Sequence, residues 1–311
     1  MTDSRTAPIA PTVSAVAAPA SPRHLRRGGT SLVLDLMDDR FPVVRHWGGD
    51  LGETGASTLD DLRAAQTMST GTNRTWTTPD LPVLPLPHLG WSARPALLVH
   101  RQDGSAFSAH IDAVAHSVAV DDAPGGEADV VVSRGTDAVH GIEVVTEIRL
   151  EPSGLVRVRA TVRNDATGRE DLAPGLFVDE VTPYLPLPDA ADEILGMSGH
   201  HLRERGLQRH ALTAGTHLRE SWEGRPGHDA TTWLAAGRSG FGWRSGTVHG
   251  VHLAWSGGTR SLVLNPPQGR KLVGAGELLQ GGEVLLGPGG SYTSPWAVFS
   301  WGEGLDALAH R

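Results

Sequence analysis

Short runs in which apolar and polar residues alternate recur along most of the chain, and this pattern limits the possible folds more than any other feature. Residues 142–150 (IEVVTEIRL) and 155–163 (LVRVRATVR) are clear examples. A period of two is typical of a strand with one buried face and one wet face, and Gly, Pro or Asp closes each run as a turn residue would. The two runs predict a hairpin. Similar runs at regular spacing predict an all-β protein, a large antiparallel sandwich.

Two segments favour helices instead. One covers residues 59–65, inside a long loop that follows Trp47, and the other is the tail at residues 302–311 (GEGLDALAHR). We therefore expect a disordered Ala/Pro-rich leader over residues 1–29, one sandwich domain over residues 30–300 and the start of a helical segment over residues 301–311. In the leader, prolines interrupt every apolar run and the cluster Arg23, Arg26 and Arg27 follows the weakly apolar part, which differs from a secretory signal and favours the cytoplasm.

Composition excludes several classes of function. The net charge of −8 disfavours nucleic acid as a partner, because neutralising phosphates requires a basic face. The absence of cysteine excludes disulfides, thiolate catalysis and cysteine-ligated metals. No run of about 18 apolar residues is present, so no membrane span is predicted. We also find no phosphate-binding loop, dinucleotide fingerprint or nucleophile elbow, and we expect no cofactor and no metal.

The alternation stops over residues 184–229, where charged and imidazole side chains crowd together. We interpret this stretch as a region of binding loops, because polar recognition groups usually lie on loops held by a rigid scaffold. Its histidines are His200, His201, His210, His217 and His228. Tryptophans near predicted loops are the better candidates for stacking against a ligand, namely Trp47, Trp76, Trp91 and Trp222. Those expected in the core are Trp243, Trp255 and Trp296.

Several motifs in a fixed order resemble the N-terminal β-supersandwich domain of family 36 glycoside hydrolases, the α-galactosidases. The motifs are HWGGDLG at residues 46–52, YLPLPDAADEILGMSGHHLRERGLQRHAL at 184–212, LRESWEGRPGHDA at 218–230, VHGVHLAWSGG at 248–258 and SPWAVFSWGEGLDALAHR at 294–311. The resemblance begins near residue 30 and looks closest to the actinobacterial branch. It implies a galactose-mutarotase-like supersandwich.

The resemblance also implies a function for the complete enzyme. Family members are retaining α-galactosidases whose two catalytic aspartates lie on a (β/α)8 barrel that follows the sandwich. One of these aspartates belongs to a Lys-x-Asp motif, whereas Lys271 here is followed by Leu272 and Val273. We therefore assign no catalytic residue and expect no hydrolysis by this chain alone. Its expected role is to cap a barrel supplied in cis or in trans, to build a homo-oligomer and to meet α-galactoside sugars.

Some site residues follow from the resemblance alone. An aspartate in the loop after the Trp-Gly motif reaches the sugar in the family, which implies Asp60 or Asp61 here. The family motif G-x-W-x-R-E-R corresponds to residues 199–205 and places His201 where the family has a tryptophan lid, with a smaller stacking area. Further candidates for the rim of the site or a subunit interface are Arg203, Glu204, Arg205 and His228.

Other functions remain open at this point. The chain could be a free-standing carbohydrate-binding module or a degenerate structural domain. It could also resemble an aldose-1-epimerase, which would need a histidine and a glutamate that converge on a sugar ring. His249, His252 and Glu277 are the residues to examine for that role, and their spacing alone does not bring them together.

Overall fold

Strands dominate the part of the chain that the computed structural model describes, which comprises residues 16–17, 22–67, 80–111, 113–228, 231, 233–267 and 269–311. In chain order, its first strands are β1 (Val16–Ala17), β2 (Pro22–Arg27), β3 (Thr30–Asp35), β4 (Val43–Gly49), β5 (Leu97–Arg101), β6 (Ala113–Ala123), β7 (Gly126–Asp137), β8 (Ile142–Leu150), β9 (Val156–Asn164) and β10 (Leu176–Val181). The later strands are β11 (Tyr184–Pro186), β12 (Glu193–His200), β13 (Arg203–Ala211), β14 (Gly215–Ser221), β15 (Trp233–Gly237), β16 (Thr247–Leu253), β17 (Thr259–Asn265), β18 (Leu272–Glu277), β19 (Leu285–Leu286), β20 (Ser291–Thr293) and β21 (Ala297–Glu303). The α-helices are α1 (Ala56–Gln66) and α2 (Leu305–Ala309).

Within the described residues, these strands form four antiparallel sheets. The largest has eleven strands in the order β1-β6-β7-β8-β9-β21-β16-β15-β12-β13, with β20 added beside β9. The second sheet has the order β11-β18-β17-β14, and the two small sheets have the orders β2-β3-β4 and β19-β10-β5. The predicted all-β antiparallel fold is confirmed.

The predicted hairpin at residues 142–163 is confirmed, since β8 pairs with β9 in antiparallel fashion. Ile142 pairs with Asn164 and Leu150 pairs with Val156. Ile148 on one face of β8 is 1% exposed, while the other face is half-buried and carries Glu147, which is 5% exposed and forms an ion pair with Arg159 at 2.6 Å. Alternation in the sequence therefore separates a core face from a charged face, as period-two strands require.

The main core lies between the sheets and includes residues from all four. Leu32 of β3, Val158 of β9, Val178 of β10 and Val263 of β17 are each at most 1% exposed. A smaller apolar cluster forms around α2, where Leu305 and Leu308 pack with Leu195, Ala235, Phe241 and Val248. The predicted helices are both confirmed, since α1 includes residues 59–65 and α2 lies in the tail.

Two predictions require correction. Strand β2 pairs with β3, so part of the sandwich lies within the segment assigned to a disordered leader, while residues 1–15 and 18–21 lie outside the described residues. The stretch predicted to consist of binding loops is also largely strands over its described residues, 184–228. The alternation is absent from β13 because it is the edge strand of the large sheet, and every one of its residues except Gly206 is exposed. No helix in the described part of the chain is long and apolar enough to cross a membrane.

Candidate functional site

A hairpin tip projects from the edge of the large sheet, where β12 turns into β13. Gly199 is required near this tip, because a Cβ atom at that position would overlap the carbonyl oxygen of Arg203. Leu202 lies in the turn with a positive φ of 68°, a conformation that costs free energy for a residue with a side chain. The turn directs its side chains outward, and 84% of the His201 side chain is exposed.

A cleft of about 860 Å³ opens beside this tip and is the candidate site. Its walls come from separate parts of the chain. The hairpin contributes His200, His201 and Arg205, and the segment after β14 contributes Arg225 and His228. The volume falls in the range of about 300–1,000 Å³ that is typical of small-molecule sites.

The floor of the cleft is apolar and includes Trp243, which is 56% exposed. The start of α2 holds the loop that carries this residue. The backbone N–H of Asp306 donates to the carbonyl oxygen of Trp243 at 2.9 Å, and that of Leu305 donates to Gly242 at 3.0 Å. The backbone of Trp243 is therefore held in place by α2 and the smaller apolar cluster around it. Its indole ring offers an accessible aromatic surface.

Glu204 supplies the negative charge at the hairpin tip. Its Oε1 accepts the backbone N–H of Leu202 at 2.8 Å and lies 3.9 Å from Nδ1 of His201. The backbone N–H groups of Glu204 itself and of Leu202 hold the pKa of this carboxyl below its ordinary value, and the nearby His228 lowers it further. The carboxylate is thus ionised at neutral pH and fastens the turn that presents His201.

The segment that carries Arg225 and His228 is tied to β14. The buried hydroxyl of Ser221 donates to the carbonyl oxygen of Arg225 at 3.0 Å. Beyond this anchor, Arg225 and His228 are exposed. The cleft therefore combines imidazole and guanidinium donors with an aromatic floor, an arrangement suited to a ligand with hydroxyl groups and an apolar C–H face.

The structure brings together some of the residues singled out from the sequence. His201, Arg205 and His228 line the cleft, and Glu204 supports its edge. Arg203 lies at the start of β13 and is exposed, but it is not part of the lining. No group of three or more histidine, aspartate or glutamate side chains in the described part of the chain is placed to hold a metal ion.

Asp60 and Asp61 lie elsewhere, on the exposed side of α1. This helix packs against β2 and β4 through the buried Leu59, and Asp60 forms an ion pair with Arg63 at 3.3 Å. Neither aspartate contributes to the cleft beside the hairpin. The family resemblance assigned substrate contact to His201 and to Asp60 or Asp61. Within this chain, the two aspartates therefore lie apart from His201.

The tryptophans are distributed differently from the prediction. Trp47 and Trp91 are 4% and 5% exposed, and their indole N–H groups donate to backbone carbonyls, so they belong to the core and are not ligand platforms. Trp243 was expected in the core but lines the cleft. Its position in the glycine-flanked turn at residues 240–246 was a signal that it could be exposed. Trp222 is exposed as predicted, and Trp76 lies outside the described residues.

The residues considered for an epimerase have separate surroundings. His249 is 4% exposed and packs edge-on against Trp47 at 4.7 Å between ring centroids, while burial lowers the pKa of its imidazole to about 4. Glu277 accepts a hydrogen bond from the hydroxyl of Tyr292 at 2.6 Å. His249 thus has the environment of a neutral packing residue.

Comparisons with known proteins agree on one family. The family described as "Glycosyl hydrolase family 36 N-terminal domain" matches residues 40–287. An Escherichia coli protein named alpha-galactosidase is 31% identical over 160 residues, which cover 51% of this chain and 22% of that protein.

Solved structures support the fold over nearly the whole chain. The alpha-galactosidase AgaA from Geobacillus stearothermophilus superposes with a TM-score of 0.73 at 21% identity, covering 93% of this chain and 42% of AgaA. The galactosidase domain of the alpha-galactosidase-sucrose kinase AgaSK gives a TM-score of 0.76 at 16% identity, covering 95% of this chain and 43% of that domain. Other AgaA structures hold raffinose or stachyose. This chain thus spans less than half the length of these relatives.

Proposed function

Because this chain belongs to glycosyl hydrolase family 36 and contains the N-terminal domain of that family, we propose that it forms the N-terminal sandwich of a retaining α-galactosidase. The substrate class that we propose is terminal α-galactosides in oligosaccharides. The match over residues 40–287 carries this proposal, together with a relative of 31% identity that is named an alpha-galactosidase. The raffinose and stachyose bound to AgaA support the same substrate class.

In this proposal, the sandwich caps the active site and does not cleave the sugar. Retaining glycosidases need two carboxyl groups about 5–5.5 Å apart, one as nucleophile and one as acid/base. Glu223 lies in the lining of the cleft, and Glu204 supports its edge with its Oε1 used by the backbone of Leu202. Because the catalytic aspartates of the family lie on the barrel, we assign catalysis to a barrel, in cis or in trans, and assign substrate contact to the hairpin.

Four side chains of the cleft have a proposed role. His201, Arg205 and His228 donate hydrogen bonds to sugar hydroxyls, and Trp243 offers its ring to a C–H face of the sugar. A hydrogen bond from the guanidinium of Arg205 is worth about 1.5–3 kcal/mol and one from a neutral donor about 0.5–1.5 kcal/mol, and a partly exposed cleft supplies less. These residues can therefore bind a galactoside weakly and hold it while a partner domain acts.

We propose that Asp60 and Asp61 act in the assembled enzyme and not in this cleft. Both aspartates are exposed on α1, away from the hairpin cleft, and we assign them contact with a sugar held in the barrel. Asp60→Asn and Asp61→Asn should leave raffinose binding by the isolated chain unchanged but weaken substrate binding by a homo-oligomeric complete enzyme. The cytoplasm remains the predicted location.

A second candidate function is a carbohydrate-binding module that acts without a barrel. The cleft favours it, because its histidine and arginine donors and the exposed ring of Trp243 together suit a ligand with hydroxyl groups. A functional assay separates the two proposals. The chain is mixed with a chromogenic α-galactoside and compared with a heat-killed control, alone and after addition of a family 36 barrel.

We expect no turnover by the chain alone and an increase in the activity of the barrel when the chain is added. Turnover by the chain alone would contradict the assignment of catalysis to the barrel. Raffinose binding without any effect on barrel activity would favour the independent module.

A further inference from the structure

A second cavity, of about 480 Å³, lies between the edges of the two main sheets. One wall belongs to β12, β13 and β15 of the large sheet, and the other belongs to β14. Residues that line it include Ile194, His210, His217, Arg219, Glu220 and Leu234. Among the described residues, this cavity and the cleft beside the hairpin share no lining side chain.

A buried ion network fixes Glu220 at this cavity. Oε1 of Glu220 accepts Nε of Arg260 at 2.8 Å, and Arg260 also forms an ion pair with Glu180. Glu180 is fully buried and is bound in addition by Arg94 and by the hydroxyl of Thr182. Because Arg260 is anchored on its buried side, the carboxylate of Glu220 is held in one orientation at the cavity.

Glu220 in turn orients an exposed aromatic ring. Nε1 of Trp222 donates to Oε2 of Glu220 at 3.0 Å, while 62% of the residue is exposed. Leu218, two positions before Glu220 on the same strand, is 43% exposed. Leu218 and Glu220 share one face of β14, because residues spaced by two do so. Trp222 is the first residue after the strand and lies outside the cavity lining, but its hydrogen bond to Glu220 holds it beside the cavity.

The charges at the cavity limit the chemistry of its ligand. Nη2 of Arg219 donates to the carbonyl oxygen of Met197 at 3.0 Å. The positive charge of this guanidinium disfavours the binding of a cation. The negative charge of the Glu220 carboxylate disfavours the binding of an anion. A neutral ligand with both hydroxyl donors and hydroxyl acceptors suits this mixture, and the apolar surface of Trp222 suits the C–H face of a sugar ring.

We propose that this cavity, together with the adjoining ring of Trp222, is a second carbohydrate-binding site. Glu220 accepts hydroxyl groups and His217 contributes a further polar contact inside the cavity, while Trp222 stacks against a sugar ring at its edge. The choice of a sugar rests on the proposed function, since the family assignment supplies the substrate class. The location rests on the cavity and the ion network alone. Such a site would hold a galactosyl oligosaccharide on the domain independently of the hairpin cleft.

The test follows the indole N–H signal of Trp222 in a nitrogen–proton NMR spectrum of the full chain during titration with raffinose. Trp222→Phe assigns the signal by removing it. We expect the signal to shift saturably. Glu220→Gln should weaken binding at this site about tenfold, because a hydrogen bond to a charged group is lost. His217→Ala should also weaken it, whereas the matched variant His228→Ala, in the hairpin cleft, should leave the Trp222 response unchanged.

The outcomes distinguish the two sites. If the signal of Trp243 shifts and that of Trp222 does not, the second site is contradicted and the proposed function stands. If Trp222 shifts and Trp243 does not, the second site is supported and the role of the hairpin cleft is contradicted. Should His217→Ala and Glu220→Gln both keep the wild-type affinity at Trp222 while remaining folded, the assignment of this cavity is wrong.

Discussion

Nδ1 of His201 lies 3.9 Å from Oε1 of Glu204, the same carboxylate oxygen that accepts the backbone N–H of Leu202. The side chain of His201 therefore lies on a turn that Glu204 stabilises through its hydrogen bond with Leu202. Both side chains are exposed, so this contact contributes little to stability. Its importance is positional, because it lies where the chain presents histidine in place of the tryptophan that the family motif would predict.

His201→Trp should tighten raffinose binding by roughly 2- to 10-fold, because aromatic contact adds about 0.5–1.5 kcal/mol. The dissociation constant from an NMR titration measures this change. Leu285→Trp places an indole at another exposed position, where Leu285 is 45% exposed, and serves as the control. Equal tightening in both variants would show that the added indole acts nonspecifically.

Gly199→Ala should lower the free energy of unfolding by about 1–3 kcal/mol, because the new methyl group overlaps the carbonyl oxygen of Arg203 and the hairpin must shift. Raffinose binding in the cleft should weaken with it. Denaturant titration measures the stability. Gly281→Ala is the matched control, since open space surrounds Gly281 and its φ does not lie in the left-handed region. Equal stability of the two variants would contradict the close approach of Gly199 to the carbonyl oxygen of Arg203.

Arg101→Met should destabilise the fold by about 3 kcal/mol or more, because it leaves buried acceptors unpaired. Arg101 is fully buried, and its guanidinium donates to the carbonyl oxygens of His140 and Ala173 and to Oδ1 of Asn164. Thermal unfolding measures the loss. The exposed Arg163→Met should change stability by at most about 0.5 kcal/mol. A small effect of Arg101→Met would show that the hydrogen bonds from Arg101 to His140, Ala173 and Asn164 contribute little to stability.

Acid should destabilise the protein partly through His249. Burial lowers the pKa of this imidazole from 6.5 to about 4 in the folded state, so the unfolded chain binds more protons between these values. The contribution of His249 to stability is therefore complete above pH 6.5 and decreases, by about 3 kcal/mol in total, as the pH falls towards 4.

Chemical denaturation of the wild type and of His249→Gln from pH 7 to pH 4 isolates this contribution. The stability of the variant should depend less steeply on pH, because glutamine does not titrate. Parallel pH profiles would show that His249 is not buried as a neutral group.

The sheet could be predicted where strands have one buried face, as in β8 and β9, because burial imposes the alternation. It was missed in β2, whose sequence PRHLRR is polar although it pairs fully with β3. Strand β13 was missed for the same reason, since an edge strand with two wet faces carries no apolar alternation.

The site could be predicted only in part. His201 and Arg205 lie close in sequence, so one hairpin holds both. The cleft also needs Trp243 and Leu305, which are brought there by the pairing of β12 with β15, of β15 with β16 and of β16 with β21. Contacts between residues so far apart in sequence depend on sheet order, which local patterns do not specify.

The most direct test of the account is a comparison of raffinose with sucrose, which lacks the galactosyl group, in NMR titrations of the purified chain. The account predicts that raffinose shifts the indole signal of Trp243 saturably, that sucrose at the same concentrations does not, and that no free galactose appears in the sample. Equal responses to the two sugars, no response of Trp243 to either, or release of galactose by the chain alone would contradict it.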